Sequence, residues 1–350
     1  MSRRAATLAV SSALVMVLAL VGSLMPVPYV ALMPGPTTNT LGTNEKGEPL
    51  IKIEGRQTYD DGGRLNFTTV TYRGGPGSRI DLFSALQGWL DGDVAIVPEE
   101  TIFPKNESQQ QVDEENTRQM RNSQQSAEAA ALHELGIKVP TQALVDSVQK
   151  GLPADGKLRP GDEITAVDGT AVANVTAVTD LMAKRKVGAP VAVTYKRGGK
   201  EAKTTLTTAA APDGKRPVIG IVLSDQYRFP FKINISVGDV GGPSAGLMFS
   251  LAIVDKLTPG TLTGRTFIAG TGTITPQGEV GAIGGIQQKM IAARRAGATV
   301  FLTPKDNCAD ALRARPDGLR LVRADTLRSA IGAIGAINSG KGTVPSCEAN

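Results

Sequence analysis

Two side chains, a serine and a lysine, have settings in which they could do chemistry. Ser244 lies in Gly241-Gly242-Pro243-Ser244-Ala245-Gly246, between an alternating run from Lys232 to Val237 that predicts a strand and an apolar run that predicts a helix. The glycines let the backbone turn sharply and another group come close, and Pro243 suits the entry to a helix. A hydroxyl there lies in the positive end of the helix field, which favours an alkoxide or an oxyanion. The same six residues also read as a capping serine in a glycine-rich turn. A nucleophilic serine needs a base, and His133 is the only histidine in the chain. It falls on a separate, mostly polar helix well upstream, where a surface role is expected. A Ser-His-acid triad is therefore not expected, and a His-based metal site would have one imidazole at most.

A lysine kept neutral by burial is the alternative base. An ordinary lysine is almost wholly charged at pH 7, so the role requires its pKa to fall by roughly 3, on the order of 4 kcal/mol. The lysine should therefore sit on an apolar element. Lys289 does, in Gly284-Gly285-Ile286-Gln287-Gln288-Lys289-Met290-Ile291-Ala292-Ala293, a predicted helix with Ile286, Met290 and Ala293 on the lysine's side. Lys256 and Lys305 lie beside polar or turn residues. Taken alone, Lys289 also reads as a solvated helix charge.

The elements that must position these groups follow from the remaining pattern. The 350 residues suffice for roughly two domains and an anchor, and 41% hydrophobic with 20% charged residues describes a folded chain. Net charge is +5, yet aromatic residues make up only 4% and the basic residues are scattered, so no nucleic-acid partner is expected. Arg3 and Arg4 precede an uncharged run from Ala5 to Met25, long enough to cross a bilayer. It predicts an uncleaved, single-pass anchor over residues 1–25, with the N-terminus cytoplasmic and the bulk of the chain outside the cell membrane; Val21-Gly22-Ser23 leaves a cleavable signal peptide as the alternative. Cys308 and Cys347, the only two cysteines, are expected to pair in that compartment, worth ~4 kcal/mol by loop closure, against two unrelated thiols.

Residues 26–136 predict a proline-rich exit from the membrane, a β-hairpin from Leu50 to Thr71 around Asp60-Asp61-Gly62-Gly63, a helix from Ser78 to Trp89, and a polar surface helix from Gln109 to Leu135 closed by Gly136. The whole segment is expected to pack on the other domains. Residues 137–210 predict strands at Ala143–Val148 and Glu163–Val167, a helix capped by Asn174, and a hairpin around Gly198-Gly199. With Leu158-Arg159-Pro160-Gly161-Asp162-Glu163-Ile164-Thr165-Ala166-Val167-Asp168-Gly169, this order resembles the PDZ domains of bacterial envelope proteases. The resemblance implies a module that adds an extended peptide as a strand beside a helix. No GLGF-type loop precedes its first strand. Two partial phosphate-loop matches, Gly151 to Lys157 and Gly335 to Lys341, lack the Ser/Thr that must follow, so no ATP site is expected.

From Gly241 to Pro304 the chain resembles the proteolytic domain of the Lon family of serine peptidases. The resemblance rests on GPSAG around Ser244, on Thr271-Gly272-Thr273-Ile274-Thr275-Pro276 leading to Lys289, and on Ala293 to Pro304. It implies Ser244 as nucleophile, Lys289 as general base, and Thr271 as the threonine hydrogen-bonded near that lysine. The expected oxyanion donors are the backbone amides of Gly241, Gly242 and Ser244. The chain departs from the ATP-dependent pattern where Gly241 and Thr273 replace acidic residues, and it contains no segment resembling an AAA+ module.

The expected fold is α+β: an N-terminal transmembrane helix, a PDZ-like β-rich domain at 137–210, a Lon-type α/β proteolytic domain at 215–340, and a tail at 341–350. The resemblance implies an ATP-independent, membrane-anchored serine endopeptidase acting on polypeptides, with no cofactor and no metal, and with a homo-oligomer open to it. The alternative is an envelope scaffold whose PDZ domain recruits proteins beside an inactive Lon-like domain.

Overall fold

A computed structural model describes residues 3–44, 46–104, 107–211, 214 and 216–348. The chain divides into two compact units, Met1–Gly136 with Phe231–Asn350, and Ile137–Pro230. The first unit is thus discontinuous, and the second is inserted into it.

The first unit is built on a six-stranded sheet in the order Arg320–Ala324, Val300–Pro304, Phe267–Gly270, Arg64–Arg73, Tyr29–Asn39, Ala95–Pro98. The first four strands run parallel and the last two pair antiparallel. All five residues of Val300–Pro304 are buried, as a parallel strand covered on both faces requires. Alternate residues serve different cores. Ile268, Val300 and Leu302 join the cluster of the helix Gly246–Leu257, while Ala269 and Phe301 join that of the helix Ile286–Arg295. The helix that follows Ser244 and the helix that carries Lys289 therefore lie on opposite faces of one sheet.

Residues 26–136 do more than pack on their neighbours, since they supply three of the six strands. The hairpin expected around Asp60-Asp61-Gly62-Gly63 does not form. Ile51–Glu54 pairs with Lys232–Ile235, and Arg64–Arg73 pairs with Tyr29–Asn39 and Phe267–Gly270. The intervening loop is held elsewhere, by the Gly260 amide donating to Asp61 at 2.8 Å. Burial decided the partner: Ile51 and Ile233 enter the large core together, which a local hairpin would not allow.

The polar helix runs Gln109–Glu134, opened by a capping box between Ser108 and Gln111 and closed before Gly136 at φ 69°. It is a surface helix only in its first half. Ala127 and Ala129–Leu132 are at most 2% exposed, because small side chains let it approach the helix Gly246–Leu257 closely. At the N-terminus, Arg3–Leu24 forms a helix of mean hydropathy 2.2, long and apolar enough to cross a membrane.

The second unit is an antiparallel sheet in the order Ile221–Tyr227, Thr141–Val148, Glu163–Val167, Pro190–Arg197, Lys200–Thr207, with the helix Val175–Ala183 against it. The local motif explains itself in the structure. Gly161 turns at φ 89°, and the Asp162 carboxylate accepts from the Arg159 amide at 2.8 Å and from the Arg197 guanidinium through two 2.7 Å bonds. Asp168 and Gly169, at φ 48° and 81°, make the left-handed pair of a tight hairpin turn. Ile221–Tyr227 belongs to this sheet, although the boundaries drawn at 210 and 215 placed it with the proteolytic segment. Its pairing with Thr141–Val148 spans the whole unit and has no local signature.

Candidate active site

Ser244 stands two residues before the helix Gly246–Leu257, which Ala245 caps, so Pro243 leads into the turn rather than opening the helix. The turn is fixed from the polar helix. The Gly242 amide donates to the Asn116 carbonyl at 3.0 Å, and the Ser123 hydroxyl donates to the Pro243 carbonyl at 2.9 Å. Gly246 has no room for a side chain, since a Cβ there would lie 2.7 Å from Ile274 Cγ2 and 2.9 Å from Ser123 Oγ.

Gly285, at φ 67°, opens the lysine helix from the left-handed region, and its missing Cβ admits Val70, whose Cγ2 would otherwise be 2.6 Å away. Lys289 is 3% exposed, and Ile286, Met290 and Ala293 of its own helix are buried beside it. The strand Phe267–Gly270 ends beside the site, and Thr271-Gly272 leaves the sheet there. Through that end Lys289 reaches the opposite face, with Nζ 2.7 Å from Ser244 Oγ and 3.0 Å from Thr271 Oγ1.

Thr271, fully buried, donates its hydroxyl proton to the Ser244 carbonyl at 3.0 Å, and the Gly272 amide donates to the same oxygen at 2.8 Å. Because the Thr271 proton is committed, its oxygen accepts from an Nζ–H of Lys289. With one N–H so held, the lone pair of a neutral amine is able to face Ser244 Oγ. Burial pulls the Lys289 pKa down from 10.5 to about 7, with no charged partner offsetting it. Burial alone does not single out a base: Lys256 is 7% exposed, but it stands at the far end of the helix Gly246–Leu257, about 15 Å along the axis from its start.

Of the three amides read as oxyanion donors, that of Gly242 is spoken for by Asn116, which leaves those of Gly241 and Ser244. His133 is exposed and lies 2.9 Å from the Pro276 carbonyl through Nδ1. Cys308 and Cys347 form a disulfide. Among the described residues, no group of three or more His, Cys, Asp or Glu side chains could hold a metal. Asn116 and Ser123 were not legible as site residues, because they act through a backbone carbonyl and a hydroxyl on a helix more than a hundred residues upstream.

Ser244 and Lys289 open on a cleft of about 1210 Å³ that also takes in Thr69, Thr71, Met120 and Val240. One wall is a sheet edge that is unpaired among the described residues. The ladder between Phe267–Gly270 and Arg64–Arg73 stops at Gly270 and Phe67, while the other side of the longer strand stays paired through Arg73.

The comparisons with known proteins find one family in each unit, although the first match also takes in most of the helix Gln109–Glu134 and stops before Ile221–Tyr227. Residues 112–208 match the PDZ domain family, and residues 231–325 match the Lon protease (S16) C-terminal proteolytic domain. A Lon protease of Clostridioides difficile is 48% identical over 69 residues, 20% of this chain and 8% of that protein. Lon protease 1 of Bacillus subtilis is 30% identical over 178 residues, 50% of this chain and 23% of that protein. The chain thus matches less than a quarter of the length of these two relatives. The solved PDZ domain of an SdrC-like protein from Listeria monocytogenes is 35% identical, covering 23% of this chain and 85% of that one, at a TM-score of 0.22. The chain carries a PDZ domain and a proteolytic domain of the Lon S16 type.

Proposed function

We propose that this chain is a membrane-anchored serine endopeptidase that cleaves polypeptides through Ser244 and Lys289 without ATP, its PDZ domain selecting the substrate. The observation that carries the reading is the 2.7 Å separation of Lys289 Nζ and Ser244 Oγ, with the lysine buried and its pKa near 7. As Ser244 Oγ attacks the scissile carbonyl carbon, neutral Lys289 takes its proton. The tetrahedral oxyanion forms beside the N-terminus of Gly246–Leu257, where backbone N–H groups stabilise it. Collapse breaks the C–N bond, and the Lys289 ammonium protonates the leaving amine. Water then attacks the acyl-enzyme with Lys289 again as base, releasing the acid and restoring Ser244. Thr271 is a positioning residue that keeps the amine lone pair aimed at the serine.

An extended substrate can lie along the open edge of residues 68–73, which offers main-chain donors and acceptors beside the dyad. In the PDZ domain the corresponding edge is Ile221–Tyr227, whose outer side is unpaired among the described residues and which contacts the helix Val175–Ala183. The turn into that strand ends at Gly220, φ 82°, where a Cβ would strike Leu152. This turn takes the place of the loop sought before the first strand. Placement outside the membrane is supported by Arg3 and Arg4 ahead of the apolar helix and by the Cys308–Cys347 disulfide.

The test uses the full chain in detergent with an unfolded protein substrate, with and without ATP. Cleavage by wild type in both conditions, lost in Ser244→Ala and in Lys289→Ala while their melting curves remain cooperative, is the expected result. Undiminished cleavage by Ser244→Ala would refute the assignment, and dependence on added ATP would refute that part of it.

A further inference from the structure

The helix Leu82–Leu90 keeps an apolar face that the described residues of its unit cover only in part, through Gly22 against Phe83 and the Tyr29 ring edge-on to Trp89 at 6.1 Å. Ala85 and Gly88 face inward, the latter so tightly that a Cβ would lie 2.5 Å from Ile96 Cδ1. Phe83, Leu86, Trp89 and Leu90 are 45%, 40%, 60% and 90% exposed, and the nine residues carry no charge. Aromatic and leucine side chains gathered on one exposed face mark a binding surface rather than scattered exposure.

Its position says what covers it. The Leu82 amide donates to the Met25 carbonyl at 3.1 Å, and Pro26 bridges to Asp81, so the helix starts where the apolar helix Arg3–Leu24 ends. Phe83 packs on Gly22, the one buried residue of that apolar helix, where a Cβ would lie 2.6 Å from the ring. Gly22 is two residues from the end of the span, about 3 Å along its axis, which sets Phe83 at the level of the membrane boundary. Tryptophan and leucine at that level partition into the headgroup region. No basic residue lies on the helix, and Asp81, Asp91 and Asp93 flank it, so anionic lipid is not what it selects.

We infer that Leu82–Leu90 is an interfacial helix that lies in the outer surface of the bilayer through Phe83, Leu86, Trp89 and Leu90. The inference rests on the reading of Arg3–Leu24 as a membrane anchor. It also holds the lysine helix at the membrane surface, because Gln287 donates to the Gly92 carbonyl at 3.1 Å and Arg295 pairs with Asp93 just beyond the interfacial helix.

Trp89 is the only tryptophan in the chain, so the native protein reports on the surface directly. The full chain is placed in nanodiscs of zwitterionic lipid with or without brominated acyl chains. A second sample carries Leu14→Trp in a Trp89→Phe background, with the reporter at the middle of the span. The expected result is loss of about half or more of Trp89 emission on bromination, unchanged by salt, together with quenching at position 14. Quenching at position 14 with none at Trp89 overturns the interfacial helix and leaves the anchor standing. Silence at both positions overturns both. Trp89 shielded from aqueous iodide but not quenched by the lipid means that a second copy covers the face, which also overturns the inference.

Discussion

The buried lysine, whose pKa no charged partner restores, makes a prediction in which activity and stability are tied to one proton. Lys289→Met removes the titrating group and keeps the volume. In the wild type, burial holds the amine near pKa 7, whereas in the unfolded chain it returns to about 10.5. Between those values the unfolded state binds a proton that the folded state does not, so wild-type stability rises with pH across this window and is flat outside it. One proton is worth 1.36 kcal/mol per pH unit, so from pH 7 to pH 10 the wild type should gain on the order of 4 kcal/mol relative to Lys289→Met. For a unit of this size that corresponds to roughly 10 °C in relative melting temperature. The assay is thermal unfolding of both proteins in detergent at half-unit pH steps, the difference between them cancelling all other groups. Peptide cleavage by wild type, measured in parallel, should rise with a midpoint near pH 7 and then level, because only the neutral amine accepts the serine proton. A stability difference that is flat from pH 7 to 10, or a cleavage rate that is flat from pH 6 to 10, would refute the reasoning.

Other outcomes follow from particular contacts. Thr271→Val removes both the acceptor for Lys289 and the donor to the Ser244 carbonyl, and kcat should fall by about 10- to 100-fold with KM little changed, while Thr271→Ser recovers most of it; steady-state kinetics read both. Glu128 is 8% exposed on the polar helix, and burial pushes its carboxyl up to about 7. Its folded pKa is raised, so stability falls as pH rises from about 4.5 to 7. Glu128→Gln should therefore stabilise the protein by on the order of 3 kcal/mol at pH 8 and by little at pH 4, seen in melting curves at the two values. Cys308→Ser opens a bridge spanning 39 residues and should cost on the order of 4 kcal/mol in the chain-entropy model, seen as a lower melting temperature that added reductant does not change further.

What the residues announce on their own is whatever rests on short-range pattern. The turn before the helix Gly246–Leu257, the apolar side of the Lys289 helix, the uncharged run after Arg3 and Arg4, and the Asp162 and Asp168-Gly169 turns are each written in a single short stretch of chain. Caps, glycine conformations and helical periodicity act over that range, so Ser244 and Lys289 were legible as candidates, whereas Thr271 was named only through the resemblance to the Lon family. The choice of pairing partners was not. Ile51–Glu54 reads equally well as half of a hairpin or as a partner of Lys232–Ile235, and Ile221–Tyr227 as the start of one domain or the last strand of another. Burial in a shared core decides such pairings, and it depends on residues far apart in the chain. The same holds at the site. Sequence places a serine before one helix and a lysine within another, but their 2.7 Å approach exists only because the strand between them stops at Gly270. Asn116 and Ser123, folded over from the polar helix, then lock the serine turn in place.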